Sequence, residues 1–241
     1  MIKKLVRIPH NATPPVTHRT TVTRAVAAFL FFSLTSMLPM SAQVVPYVGI
    51  VGGVATLSAD GGSQPAAGGL SLSSYAPNNG GALDLFTGAD LHNYFSVQAN
   101  FIWNRNHLHL NTAASGGAFY QEDRTSSQEA GVFDFLIYFR RQSSRIRPYL
   151  GTGVGILRFT STLNRLTASG GGPTLPPADF SYTGPVFRSH VGIDIRIKRK
   201  LYFRYSFSEM ISHNPISEQL SPPGPRGLAN FQNLFGFVTR F

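Results

Sequence analysis

Downstream of residue 42 the chain alternates apolar and polar side chains in one stretch after another, the period of strands that have a single apolar face. VFRSHVGIDIRIK (186–198) sets Phe187, Val191, Ile193, Ile195 and Ile197 against Arg188, His190, Gly192, Asp194, Arg196 and Lys198, with Ser189 the one polar member of the apolar face. KLYFRYSFS (200–208) follows after almost no loop and opposes Leu201, Phe203, Tyr205 and Phe207 to Tyr202, Arg204, Ser206 and Ser208. VFDFLIYFR (132–140) puts Phe133, Phe135, Ile137 and Phe139 opposite Asp134, Tyr138 and Arg140. YFSVQANFIWN (94–104) opposes Phe95, Val97, Ala99, Phe101 and Trp103 to Ser96, Gln98, Asn100 and Asn104, and GALDLFTGADL (81–91) opposes Leu83, Leu85, Ala89 and Leu91 to Asp84, Gly88 and Asp90. PYLGTGVGILRF (148–159) sets Leu150, Val154 and Ile156 against Gly151, Gly153 and Gly155, while PYVGIVGGVATL (46–57) is a looser version. NLFGFVTRF (233–241) closes the set, with Phe235, Phe237 and Phe241 on alternate positions.

Two architectures fit such alternation. A soluble sandwich or lipocalin-like barrel turns its apolar face inward, whereas a membrane barrel turns it outward to lipid and lines its lumen with the polar face. The connections decide between them. Segments 58–80, 110–127, 161–181 and 212–229 are long, and 92–93, 141–147 and 198–200 are short. Long loops are rare in compact soluble domains, but short periplasmic turns alternating with long external loops are the rule in outer-membrane barrels. The predicted fold is therefore all-β: an eight-stranded antiparallel up-and-down transmembrane β-barrel over residues 43–241.

Residues 1–42 read as a signal peptide with a basic leader. Arg19 and Arg24 precede the apolar stretch Ala25 to Leu38, and Ala42 is the expected last residue before cleavage. This segment changes the charge argument. The full chain has 21 Lys and Arg against 11 Asp and Glu; the leader holds Lys3, Lys4, Arg7, Arg19 and Arg24 and no acid, so 16 basic residues remain and the net charge falls from +10 to +5. The remaining Lys and Arg lie mostly singly along strand-like segments rather than on one face, which argues against nucleic acid as a partner. The absence of cysteine removes disulfides, thiolate metal sites and cysteine nucleophiles together.

GFVTRF (236–241), RPYLGTGVGILRF (147–159) and HVGIDIRIKRKLYFRYSF (190–207) resemble the small eight-stranded outer-membrane barrels, the OmpA-like, OmpX-like and opacity-protein-like group. That resemblance implies residence in the outer membrane of a Gram-negative-type envelope, with outer-membrane lipids and the barrel-assembly machinery as partners. It also implies an assembly signal in Gly236, Phe237 and Phe241. Trp103, Phe203, Tyr205 and Phe235 are the expected aromatic girdle at the lipid boundaries.

The expected lumen set is Asp84, Asp90, Asp134, Arg140, Arg188, His190, Asp194, Arg196 and Arg204. In so narrow a barrel side chains fill the interior, and a buried unpaired charge is costly, so these groups are expected to form a structural salt-bridge network. Gly151, Gly153 and Gly155 are expected to make room for arginines of neighbouring strands. An enzyme of the lipid-modifying or protease type would need a Ser–His pair near the external rim. His107 and His109 in NRNHLHL stand near that rim, but no third metal ligand accompanies them. No catalytic residue, metal or cofactor is assigned. The expected role is a non-enzymatic barrel with a filled lumen, serving envelope structure or surface interaction with an unidentified ligand through four long external loops. The alternatives are a conduit for small apolar molecules and a lipid-modifying enzyme.

Overall fold

The alternating stretches become strands because their aromatic and β-branched residues suit a pleated surface, and each finds its ladder partner in the stretch beside it. The computed structural model describes residues 44–59, 64–65, 71–114, 119–169, 179–215 and 227–241. The expected signal peptide, residues 1–42, lies outside the described residues, as do the tips of the four long connections. The strands are β1 (Val45–Ala59), β2 (Gln64–Pro65), β3 (Ser71–Pro77), β4 (Gly80–Asp90), β5 (Phe95–Ala114), β6 (Phe119–Tyr138), β7 (Ile146–Ser169), β8 (Phe180–Arg196), β9 (Leu201–His213) and β10 (Gly227–Arg240).

Eight of them close a ring in the order β4, β1, β10, β9, β8, β7, β6, β5, with β5 pairing back to β4. Closure depends on the first and last strands, which pair from Tyr47↔Arg240 to Ala59↔Leu228. The Phe241 amide donates to the Pro46 carbonyl at 3.0 Å. The apolar ending is thus a paired strand end rather than a frayed tail, and the ring has no open edge. β2 and β3 lie outside the ring: β3 continues along β5 beyond the end of β4, and the Asn78 amide, bonded to the His107 carbonyl at 2.9 Å, carries the ladder across the break.

The connections differ from expectation. Much of 110–127 and 161–181 is strand, since β5 runs to Ala114, β6 starts at Phe119 and β7 runs to Ser169. Segment 58–80 likewise contains β2 and β3. Above the apolar belt the outer face meets water and turns polar, so the apolar alternation that reveals a strand disappears while the hydrogen-bond ladder continues. One irregularity interrupts the tall wall. The β6–β7 register shifts between Asp123 and Arg124, leaving Asn164 as the extra residue of a bulge, and its amide donates to the Thr125 hydroxyl at 2.8 Å.

The two faces are inverted relative to a soluble protein. Outside stand Val48, Ile50, Phe101, Phe133, Phe135, Leu150, Phe187, Val191 and Phe237, all exposed, with Val154 and Ile156 each 65% exposed. Inside, Asp84, Asp90, Asp134, Arg147, Arg188, Asp194 and Arg204 are buried. On β7 the outward apolar set runs from Ile146 to Ile156. Roughly ten steps of about 3.3 Å, along a strand tilted about 40°, rise about 25 Å, the height of a hydrocarbon-facing band. Arg105, Glu129 and Arg158 are exposed where the outer face turns polar.

Leu150 sits near the middle of that band and Thr162 above it. Leu150→Arg is expected to destabilise the barrel by about 2–4 kcal/mol, and Thr162→Arg by about 0–1 kcal/mol. Urea unfolding in phospholipid vesicles measures both, and equal costs at the two positions would mean that the band is not the lipid-facing surface.

Candidate functional site: the barrel lumen

Inward-facing side chains fill the barrel in layers. Nearest the short turns lies a charged knot. Arg204 on β9 forks onto Asp194 of β8, with Nε 2.6 Å from Oδ1 and Nη2 2.9 Å from Oδ2. Its remaining donors reach the Tyr138 hydroxyl and Gln98 Oε1, each at 2.8 Å. Arg240 of β10 bridges two carboxylates, donating from Nε to Asp90 at 2.9 Å and from Nη2 to Asp194 at 2.8 Å. Arg147 of β7 adds a second cation to Asp90 at 3.3 Å. Aromatic rings wall the knot: the Arg147 guanidinium lies 3.8 Å from the Tyr138 ring centre and that of Arg240 lies 4.1 Å from the Tyr202 ring centre.

One step further in, Arg188 of β8 joins Asp84 of β4 and Asp134 of β6 at 2.8 and 2.9 Å, spanning the lumen. Asn100 donates to Asp134 at 2.9 Å, and His190 Nε2 stands 3.3 Å from the same carboxylate. Above this is a belt of amides. Gln232 donates to Asn104 at 3.1 Å, Ser208 donates to Gln232 at 2.9 Å, and Asn230 donates to Gln128. The external half is then packed with Leu57, Ile102, Leu108, Leu110, Val132, Leu157, Phe159, Val186, Met210 and Leu228, all buried, with Phe180 and Tyr182 against them. At its top the buried Arg124 meets Glu122 at 2.7 Å and lies over the Phe180 ring.

Seven of the nine expected lumen residues are brought together: Asp84, Asp90, Asp134, Arg188, His190, Asp194 and Arg204. Arg140 and Arg196 are corrections. Arg140 lies beyond the last residue of β6 and is exposed, and Arg196, at the last residue of β8, turns its Nη2 to the Ser143 carbonyl at 2.8 Å in the adjacent turn. Parity holds only while the strand does. At or past its last rung, a long cation turns to the rim instead of the lumen. Arg147 and Arg240 take their places, so across the knot and the layer above it four arginines still oppose four aspartates. Parity could have found both: Arg147 shares a face with Gly151 and Gly153, and Arg240 with Gly236. Arg124 was hidden in a segment expected to be loop.

The glycines of β7 do make room, but not for arginine. A Cβ on Gly151 would strike the His190 ring, and one on Gly153 would strike the Asp134 carboxylate, because these are the cross-strand neighbours. Beyond the lumen, Trp103 stands two residues before Arg105, where the outer face turns polar, and Phe203 lies near the short-turn end of β9. Tyr205 and Phe235 pair across β9 and β10 within the belt. His109 bonds Asp123 at 2.6 Å and Asn78 at 3.1 Å, while His107 stands 3.4 Å from the Thr125 hydroxyl. No group of three or more metal-ligating side chains occurs among the described residues.

Residues 27–224 match the family model described as the outer membrane protein beta-barrel domain. Among solved structures, Neisserial surface protein A is similar at 13% identity and a TM-score of 0.50, covering 81% of this chain and 97% of that one. The outer membrane protein OprG from Pseudomonas aeruginosa is similar at 14% identity and a TM-score of 0.49, covering 82% of this chain and 96% of that one. No curated protein matches the chain. A closed antiparallel ring with its apolar face outward, together with a family match spanning most of the sequence, establishes that the chain belongs to the outer membrane protein β-barrel domain family and resides in the outer membrane.

Proposed function

We propose that this is a non-enzymatic outer-membrane barrel that acts at the cell surface rather than as a passage, serving envelope structure or interaction through its external portion. The observation that carries this reading is the lumen, where a charged knot, an amide belt and an apolar layer are stacked and buried. What the protein offers instead is a raised wall. β7 continues from Ile156 to Ser169, and β5 and β6 rise beside it, with Arg105, Glu129, Arg158 and Thr162 exposed along its outer surface. A hydrogen-bonded wall presents side chains at fixed spacing, which lowers the ordering cost of binding relative to mobile loops. Trp103 and Phe203 mark the external and periplasmic boundaries of the lipid-facing band in this reading.

Cells bearing the full barrel are compared with cells bearing one in which residues 109–123 are replaced by a two-residue turn. Both barrels are expected to assemble and migrate as compact bands on unboiled gels, and only the full wall supports cell–cell or cell–matrix attachment. Equal attachment by both, combined with protein-dependent entry of a small apolar solute into proteoliposomes, would move the reading to a conduit.

The barrel-assembly machinery is the partner proposed for the last strand. Deleting Phe241, which is 62% exposed, removes little buried area. Refolding into detergent is expected to proceed almost unchanged while insertion in cells drops severely. Equal impairment in both settings would leave Gly236, Phe237 and Phe241 a packing role only.

A further inference from the structure

The basic residues are not scattered as the alternating pattern suggests. Two adjacent short turns, between β6 and β7 and between β8 and β9, carry Arg140, Arg141, Arg145, Arg196, Lys198, Arg199 and Lys200 with no acidic residue among them. The turns are held together: the Arg196 amide donates to the Arg145 carbonyl at 2.8 Å, and the Arg196 guanidinium donates to the Ser143 carbonyl at 2.8 Å. Between them Arg145, Arg196, Ile197, Lys198 and Arg199 line an open cleft of about 400 Å³. None of the seven cations takes part in an ion pair among the described residues. The aspartates at this end of the barrel, Asp90 and Asp194, are buried and already held by Arg147, Arg204 and Arg240.

The height of this cluster decides its partner. Phe139, Ile146 and Ile197 are exposed at 64%, 49% and 52%, and they are the last apolar residues of the lipid-facing band beside these two turns. Arg140, Arg145 and Lys198 are their immediate neighbours in sequence. One residue step is about 3.3 Å, so the charged groups fall within the headgroup layer, which is about 5–7 Å thick on each side of the hydrocarbon. Short turns mark the periplasmic side. Guanidinium and ammonium groups at that depth match phosphate in charge and in donor geometry, and the exposed Ile197 beside them suits the start of an acyl chain.

We propose that this periplasmic rim binds the phosphate of an anionic phospholipid in the inner leaflet of the outer membrane, fixing the depth of the barrel and gathering such lipids around it. The ligand chemistry is a phosphate ester, and its source could be a bilayer lipid or a soluble phosphate.

Native mass spectrometry of the purified, folded barrel with phosphatidylglycerol, phosphatidylcholine and sn-glycerol 3-phosphate separates these sources. The wild type is expected to retain phosphatidylglycerol about tenfold or more over phosphatidylcholine, with the preference lost at high salt and little displacement by glycerol phosphate. Arg145→Gln combined with Arg199→Gln should bring the two lipids close to parity, while Arg158→Gln, on the external wall, should leave the preference intact. Equal retention of both lipids by the wild type would overturn the proposal. So would displacement of the lipid by an equal concentration of glycerol phosphate, which would indicate a soluble phosphate site. If the double variant does not fold, the wild-type salt titration decides, because a salt-independent preference is incompatible with a charge-based rim.

Discussion

Replacing Arg204 by alanine is expected to cost about 3–5 kcal/mol, because removing one partner of a buried pair leaves the other charge uncompensated. Arg204 is 1% exposed and donates to Asp194 through both arms of its fork as well as to Tyr138 and Gln98. Without it, Asp194 keeps Arg240 and the Tyr138 hydroxyl, so the carboxylate is not wholly abandoned. The value therefore falls toward the lower end of the range. Arg204→Met, similar in length but uncharged, should be nearly as costly in an otherwise unchanged barrel. Combined with Asp194→Asn, the loss should be clearly smaller than the sum of the two single losses, since each change removes the penalty that the other creates. Urea unfolding of the refolded barrel in detergent measures all four. A loss below about 1 kcal/mol, the size found for solvated surface pairs, would show that water reaches this layer.

The same pair illustrates what the sequence reveals. Asp194 and Arg204 lie on the polar faces of two stretches joined by a minimal turn, so their register, Asp194↔Arg204, follows from alternation and turn length alone. The partners across the barrel do not follow. Arg188 meets Asp84 on a strand more than a hundred residues away, because closure brings β4 and β8 to facing positions and alternation says nothing about what faces what across a lumen. Arg140 and Arg196 failed for a different reason: their parity is inward, but the ladder ends before a side chain there is enclosed. The apolar filling of the external half was equally hidden. Leu108, Leu110, Leu157 and Phe159 sit on the inward face, where the membrane-barrel rule leads one to expect polar groups, because above the bilayer the barrel is a water-soluble β structure and buries its apolar residues inside. The outward face thus switches from apolar to polar near Arg105, Glu129 and Arg158, a crossover that the inward face does not mirror, since Val51, Phe86, Leu234 and Val238 are also buried inside the lower half.

That crossover also determines how the barrel should behave as a conductor. Eight strands enclose an interior only wide enough for side chains to fill, and here two fillings stand in series: a charged knot below and an apolar layer above, separated by the amide belt. Resistances in series are set by the larger, so opening either layer alone should leave the path closed. Purified wild-type protein in planar bilayers is expected to show no steady current and at most rare events far below those of porins, which use about sixteen strands or more. Asp84→Ala with Arg188→Ala removes the strut that crosses the charged layer, and Leu157→Ala with Phe159→Ala empties the centre of the apolar one. Each pair alone should remain closed; an apolar void of this kind stays dry, and a wet lower chamber still meets an apolar lid. Even the four substitutions together should carry no porin-like current, because the knot around Arg204 and Arg240 and the amide belt remain in place, provided that the variant still migrates as a folded band on unboiled gels. Steady, large current from the wild type would refute the filled lumen. Current from the charged-layer pair alone would show that neither the external apolar layer nor the knot around Arg204 closes the path in the bilayer and that the Arg188 strut is the single gate.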